Sequence, residues 1–257
     1  MNIEVFPDAE SVAREAAQLI AEEARTRVAL RGKFVMAVSG GKTPWMMLRN
    51  LANEDVPWNA VHVFQVDERI TPAGDPDRNL THLRESLLTH APLRPEQIYG
   101  MPVESGSLES ACAQYALTLE GIAGSPPTLD LVHLGLGPDG HTASLIPGDP
   151  VLTVRDADVA LTGTYQGRRR MTLTYPAINR SPIVLWLVTG GEKAGALARL
   201  WAGDTSIPAG QIRSDCSVVL ADRAAAAQID ENEKKEVDRE PSTSKSKESR
   251  LGLRPAR

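Results

Sequence analysis

Cysteine is nearly missing from this chain: Cys112 and Cys216 are the only two in 257 residues, and they form no CxxC pair. That excludes a disulfide framework and a zinc-cluster fold, and each thiol reads as a small buried residue rather than a nucleophile. No apolar run approaches the ~18 residues that a membrane span requires. The opening MNIEVFPDAE has no basic region followed by an apolar core, so no signal peptide is expected and the chain reads as cytoplasmic. Basic charge is not in excess: 28 Lys and Arg stand against 33 Asp and Glu, for a net charge of −5. A general nucleic-acid-binding surface is thereby excluded. The GxSxG of a serine-hydrolase elbow is missing, and no metal-ligand spacing is evident, so no required metal is expected. There is no internal repeat and no signal that sets an oligomeric state.

What is present is an alternation of strand-like and helix-like segments. Ile3 to Phe6, Phe34 to Val38, Val61 to Val66, Leu131 to Leu136, Ile183 to Thr189 and Ser217 to Ala221 read as strands, with shorter ones at Val159 to Thr162 and Met171 to Thr174. Helices are expected over Asp8 to Leu30, Thr43 to Asn53, Asn79 to Leu88, Ser107 to Ile122 and Glu192 to Trp201. Asp8 is the N-cap candidate of the first. Such alternation predicts an α/β fold: a Rossmann-like, largely parallel sheet flanked by helices. The composition changes after Ala227. From Asp230 to Arg257, 15 of 28 residues are charged and the apolar ones have no period. The expected organisation is one α/β domain over 1–227 and a charged, disordered C-terminal tail over 228–257.

Three strands lead into loops that could carry chemistry. The strand from Leu131 breaks at Gly135, Gly137, Pro138 and Gly140, and presents Asp139 and His141 two residues apart. Open α/β sheets build active sites from such loops. Ser39-Gly40-Gly41-Lys42-Thr43-Pro44 follows the Phe34 strand and opens a helix. Backbone amides, the helix dipole and the hydroxyls of Ser39 and Thr43 suit a phosphate group there. The stretch is neither a Walker A loop nor, in itself, a dinucleotide fingerprint. Asp67-Glu68-Arg69 follows the Val61 strand. In a parallel sheet all three loops share one edge. The run Arg168-Arg169-Arg170 could hold a small anion, or it could be a solvated loop. His62, His82, His90 and His133 lie near no motif, and His133 reads as a core or edge residue.

Taken in order, SGGKTP, DER, Asn79, GLGPDGHTASLIP, RMTLTYP (Arg170 to Pro176) and GGEK (Gly190 to Lys193) resemble the 6-phosphogluconolactonases. These belong to the glucosamine-6-phosphate isomerase/6-phosphogluconolactonase family, and the resemblance covers roughly residues 5 to 222. It implies hydrolysis of a small-molecule sugar-phosphate lactone, 6-phosphogluconolactone, in the oxidative pentose phosphate pathway, with no required cofactor. It implies further that His141 is a general base activating water, with Asp139 positioning it or the sugar and Arg69 near the lactone carbonyl. Ser39, Gly40, Gly41, Thr43, Arg170 and Lys193 would hold the phosphate, and Asp67 and Asn79 are further substrate-site candidates. A lactone is an activated ester, so water, one base and one cation suffice.

Two departures fall at packing positions: Ile146, where an aromatic is common, and Val218 or Val219, where a Trp is common. Two other readings differ in chemistry. A glucosamine-6-phosphate deaminase/isomerase would carry a Glu soon after the histidine, but no carboxylate lies between His141 and Asp149, and Arg69 stands where that group has an aromatic. A non-catalytic sugar-phosphate sensor would need a DNA-binding segment, for which the sequence shows no helix-turn-helix.

Overall fold

The apolar pentamers Phe34–Val38 and Val184–Val188 are buried at every position, which is why they read as continuous runs rather than alternating ones. They form the middle of a parallel sheet in a computed structural model that describes residues 1–229 and 235–236. In chain order the strands are β1 (Asn2–Phe6), β2 (Phe34–Val38), β3 (Val61–Gln65), β4 (Asp67–Arg69), β5 (Ile98–Tyr99), β6 (Leu131–Gly135), β7 (Val159–Leu161), β8 (Arg170–Leu173), β9 (Val184–Val188), β10 (Ser217–Asp222) and β11 (Lys235–Glu236). The helices are α1 (Ala9–Arg31), α2 (Lys42–Leu51), α3 (Asn79–Leu83), α4 (Leu108–Ala123), α5 (Tyr175–Asn179) and α6 (Ala194–Trp201).

The large sheet runs β11-β1-β10-β9-β6-β2-β3-β5, and every pairing in it is parallel. From β2 the chain moves outward through β3 to β5, then returns to place β6 on the other side of β2. The order therefore reverses between β2 and β6. In open α/β sheets that reversal opens a crevice beyond the strands' carboxyl ends. The loops that leave β2 and β6 are those of Ser39 and of His141.

Two apolar layers cover the faces. On one, α1 and α2 pack with Phe34, Met36, Leu185 and Leu187 of the sheet. On the other, residues of α4 and α6 pack with Val35, Val132, Leu134 and Trp186. The Asp8 carboxylate caps α1 by accepting the Ser11 amide at 2.8 Å, as expected from the sequence. Among the described residues no helix is long and apolar enough to cross a membrane.

Three expectations need correction. Asp67–Arg69 is not a loop beyond β3. It is itself a strand, paired antiparallel with β8 in a second sheet of order β4-β8-β7. The helix expected through Leu88 ends at Leu83 and continues as one wide π-type turn over Arg84–Leu88. The one expected from Glu192 begins with a 3₁₀ turn, Gly191–Lys193, before α6. Near the boundary expected at Ala227, Ile229 is buried and Lys235–Glu236 pairs with β1. The rest of the expected tail, Asp230 onward, lies outside the described residues.

Candidate active site

The loop after β2 enters α2 through Gly41, which sits at φ 136 and offers no side-chain cap. The first-turn amides of α2 therefore point outward at the positive end of the helix dipole, ready for an anion. Gly40 is required by crowding, since a Cβ there would collide with the Asn79 side chain. The hydroxyls of Thr43 and Thr189 lie 2.7 Å apart and tie this loop to the end of β9. The Ser39 amide is not a free donor: it donates to Nδ1 of His133, 3.2 Å away, while Ser39 Oγ is buried with no partner. His133 is fully buried, and burial pushes its pKa down to about 3. It stays neutral and acts as a core acceptor.

The loop after β6 is closed by hydrogen bonds from the Gly137 amide to His141 O (2.8 Å) and from the Gly140 amide to Gly137 O (3.0 Å). Asp139 Oδ1 lies 2.6 Å from His141 Nδ1 and also accepts the His141 amide at 3.2 Å. Burial raises the Asp139 carboxyl. The His141 amide and imidazole outweigh that, helped by the Tyr165 hydroxyl, and hold it below the ordinary carboxylate range. An ionised carboxylate only accepts, so Nδ1 of His141 donates to it, and in the neutral imidazole this fixes the tautomer whose lone pair is on Nε2. Gly137 admits this pair: a Cβ there would collide with both the imidazole and the carboxylate.

The cations come from the second sheet. Arg69 and Arg170 are direct cross-strand partners of β4 and β8. Like charges placed opposite each other destabilise a sheet. Each Nε is nevertheless buried without a hydrogen-bond partner, and neither arginine has a carboxylate at ion-pair distance among the described residues. Arg69 Nη1 donates to Asp77 O (2.7 Å) and Asn79 Oδ1 (3.0 Å). Burial lowers the pKa of Arg170, opposed by Asp67 and reinforced by Arg69.

Fully buried Glu68 organises the neighbourhood. It accepts the amides of Arg69, Asn79 and Leu80 at 2.8–2.9 Å and the Gln65 side-chain amide at 2.9 Å. Ser144 donates to Asp67 at 2.6 Å. The arginine run divides: Arg170 is buried at the site, Arg168 pairs with Asp77 at 2.8 Å, and Arg169 is exposed.

A single cleft of about 770 Å³ gathers these parts. Its walls include Ser39, Gly40, Gly41, Thr43, Asp67, Arg69, Asn79, His141, Arg170 and Lys193. Asp139 stands behind His141 rather than in the wall.

Residues 7–220 match the family described as glucosamine-6-phosphate isomerases/6-phosphogluconolactonase. The chain belongs to that family. A 6-phosphogluconolactonase of Nostoc is 34% identical over 236 residues, covering 89% of this chain and 98% of that protein. The crystal structure of a 6-phosphogluconolactonase from Thermotoga maritima superposes with a TM-score of 0.77 at 28% identity, covering 86% of this chain and 98% of that one. A monomeric glucosamine-6-phosphate deaminase shares the fold, with a TM-score of 0.76 at 20% identity over 89% of this chain and 100% of that one. Within the glucosamine-6-phosphate isomerase/6-phosphogluconolactonase family, then, fold alone does not separate the two chemistries.

In this family member the cleft has residues that motif reading passed over. Lys42, Ala143, Thr189 and Glu192 line it. Lys42, Ala143 and Glu192 lie inside the motifs SGGKTP, GLGPDGHTASLIP and GGEK but were given no role there. Tyr165, whose hydroxyl donates to Asp139 Oδ2 at 3.2 Å, left no sequence signal. The spacing Gly135-x-Gly137-x-x-Gly140 formally fits a dinucleotide fingerprint, but no α-helix opens after it, so the context for a pyrophosphate site is missing.

Proposed function

We infer that this chain is a 6-phosphogluconolactonase, a carboxylic ester hydrolase that converts 6-phospho-D-glucono-1,5-lactone to 6-phospho-D-gluconate in the oxidative pentose phosphate pathway. One observation carries the reading of the site. Two directly opposed arginines, with unsatisfied buried Nε atoms, face a cleft that also holds a base and an uncapped helix N-terminus. Buried donors without partners call for an anionic ligand.

The phosphate lies against the α2 N-terminus, between the Ser39 and Thr43 hydroxyls, with Lys193 and Arg170 supplying charge. His141 Nε2 takes a proton from water, whose oxygen attacks the lactone carbonyl carbon. Asp139 holds the imidazole by Nδ1 and stabilises the imidazolium that forms. Negative charge developing on the carbonyl oxygen falls to Arg69. The tetrahedral carbon then collapses, the bond to the ring oxygen breaks, and that oxygen takes the proton back from His141. Asp67 and Asn79 anchor the wall beside Arg69. No covalent intermediate is needed.

The amino-sugar reading lacks its carboxylate. Asp149, the first after His141, is committed to the amides of Val151 and Gly163, both at 2.9 Å. We place the reaction in the cytoplasm; the two free, buried thiols fit a reducing compartment. Acid release from freshly made 6-phosphogluconolactone, set beside ammonia release from glucosamine 6-phosphate, tests the function. Acid release above the spontaneous rate with no ammonia is expected. Ammonia without acid would reverse the conclusion, and neither product would point to a sensor.

A further inference from the structure

Between β7 and β8 the chain reverses in a two-residue turn. The Tyr165 amide donates to Arg168 O at 3.0 Å and the Arg168 amide to Tyr165 O at 3.2 Å. Gln166 and Gly167 lie at φ 52 and 77. Positive φ at both central residues gives the turn whose twist matches its flanking strands. Tyr165 and Arg168 are thus directly opposite, with side chains on one face of the hairpin.

Both side chains reach the site's supports. The Tyr165 hydroxyl donates to Asp139 Oδ2, and its ring meets the His141 ring edge-on at 5.6 Å. The Arg170 guanidinium sits 5.1 Å over the same Tyr165 ring. Arg168 pairs with Asp77, whose carbonyl accepts from Arg69. The hairpin tip is therefore pinned on both sides of the cleft. The two oxygens of Asp139 divide their work: Oδ1 takes the imidazole and amide of His141, and Oδ2 takes Tyr165. A carboxylate torsion is broad by itself, so a second, opposed hydrogen bond is what fixes it.

We propose that Tyr165 is a positioning residue for the lactonase reaction. It acts through Asp139 to hold the His141 imidazole, and through its ring to hold Arg170. The proposal rests on the lactonase reading above.

The test uses the full chain and initial rates on 6-phosphogluconolactone, corrected for spontaneous hydrolysis. Tyr165→Phe keeps the ring and removes the hydroxyl. It should lower kcat about tenfold, the worth of one hydrogen bond to a charged group, with KM unchanged. Tyr165→Leu also removes the surface under Arg170, and should in addition raise KM about 3- to 10-fold. In an Asp139→Ala background, Tyr165→Phe should cost nothing further, because the route is already cut.

A wild-type kcat for Tyr165→Phe, or an equal loss in the Asp139→Ala background, overturns the proposal. So does a Tyr165→Phe protein that is unfolded at the assay temperature, since the residue would then be structural. His141→Ala and Asp139→Ala separate the levels. If both remain as fast as wild type, the reading of the site falls and the proposal with it. If both collapse while Tyr165→Phe does not, only Tyr165 is misassigned.

Discussion

The two sheets of this protein contribute to the cleft in opposite ways. The parallel sheet contributes through the loops beyond its strands: backbone amides at α2, and an imidazole on a glycine-rich turn. Its strands reach the cleft only at their carboxyl ends, at Gly135, Leu187 and Asp222, and His133 lies beneath Ser39. The small antiparallel sheet contributes from within its strands, where Arg69 and Arg170 are register partners. Loop donors are positioned by hydrogen bonds that close the loop on itself. The arginines are positioned by pairing across the sheet, against their mutual repulsion. A scaffold of one kind makes a cradle and a base; the other brings two like charges to one wall of the cleft.

Substitutions can break this contrast at either end. The largest effect is expected at the imidazole: His141→Ala should lower kcat roughly 10²- to 10⁴-fold with little change in KM. Steady-state rates within a few-fold of wild type would remove it from the chemistry. Next comes Arg69→Ala, with a loss of about 10²-fold in kcat if that guanidinium meets the developing oxyanion. Gly137→Ala should cost about as much without removing any functional group, since displacing the imidazole by ~1 Å is enough. Its signature is a lost kcat in a protein with a normal melt.

Arg170→Ala and Lys193→Ala should act mainly on KM, by about tenfold, with unphosphorylated gluconolactone indifferent to both. If the two lactones suffer equally, these cations do not hold the phosphate. The smallest effect on turnover concerns His133. Its folded pKa is depressed, so its contribution to stability is complete above the unfolded value near 6.5 and is lost as pH falls from there toward about 3. The loss approaches ~1.4 kcal/mol per pH unit. His133→Asn keeps an acceptor for the Ser39 amide and removes the proton. Urea midpoints for it should flatten between pH 6.5 and 4, while kcat at pH 7 stays near wild type.

The middle of the parallel sheet was readable because strands such as Phe34–Val38 and Val184–Val188 are unbroken apolar runs and the loops carry glycine next to titratable groups, whereas its two-residue edge strands, Ile98–Tyr99 and Lys235–Glu236, were too short to show. Each such signal lies on one short stretch of chain. Asp67–Arg69 misled for a physical reason. Three residues are too few to show a period, and pairing with β8, a hundred residues on, is what makes them a strand. For the same reason the opposition of Arg69 and Arg170 was invisible, although both residues were singled out. Tyr165 was hidden more thoroughly: nothing in TYQGR marks a site, and only the fold brings its hydroxyl to Asp139.

The opposed arginines also bear on how the chain stays folded. A sugar phosphate that engages both, its phosphate near Arg170 and its lactone carbonyl at Arg69, binds the native state and finds no equivalent site in the unfolded chain. At a hundred times its dissociation constant such a ligand adds about 2.7 kcal/mol to the free energy of unfolding. The melting temperature should then climb with the concentration of the sugar phosphate, or of plain inorganic phosphate. Resistance to heat and to proteolysis becomes partly a property of the solution: when the cleft is filled, the lactone being hydrolysed also acts as a folding ligand.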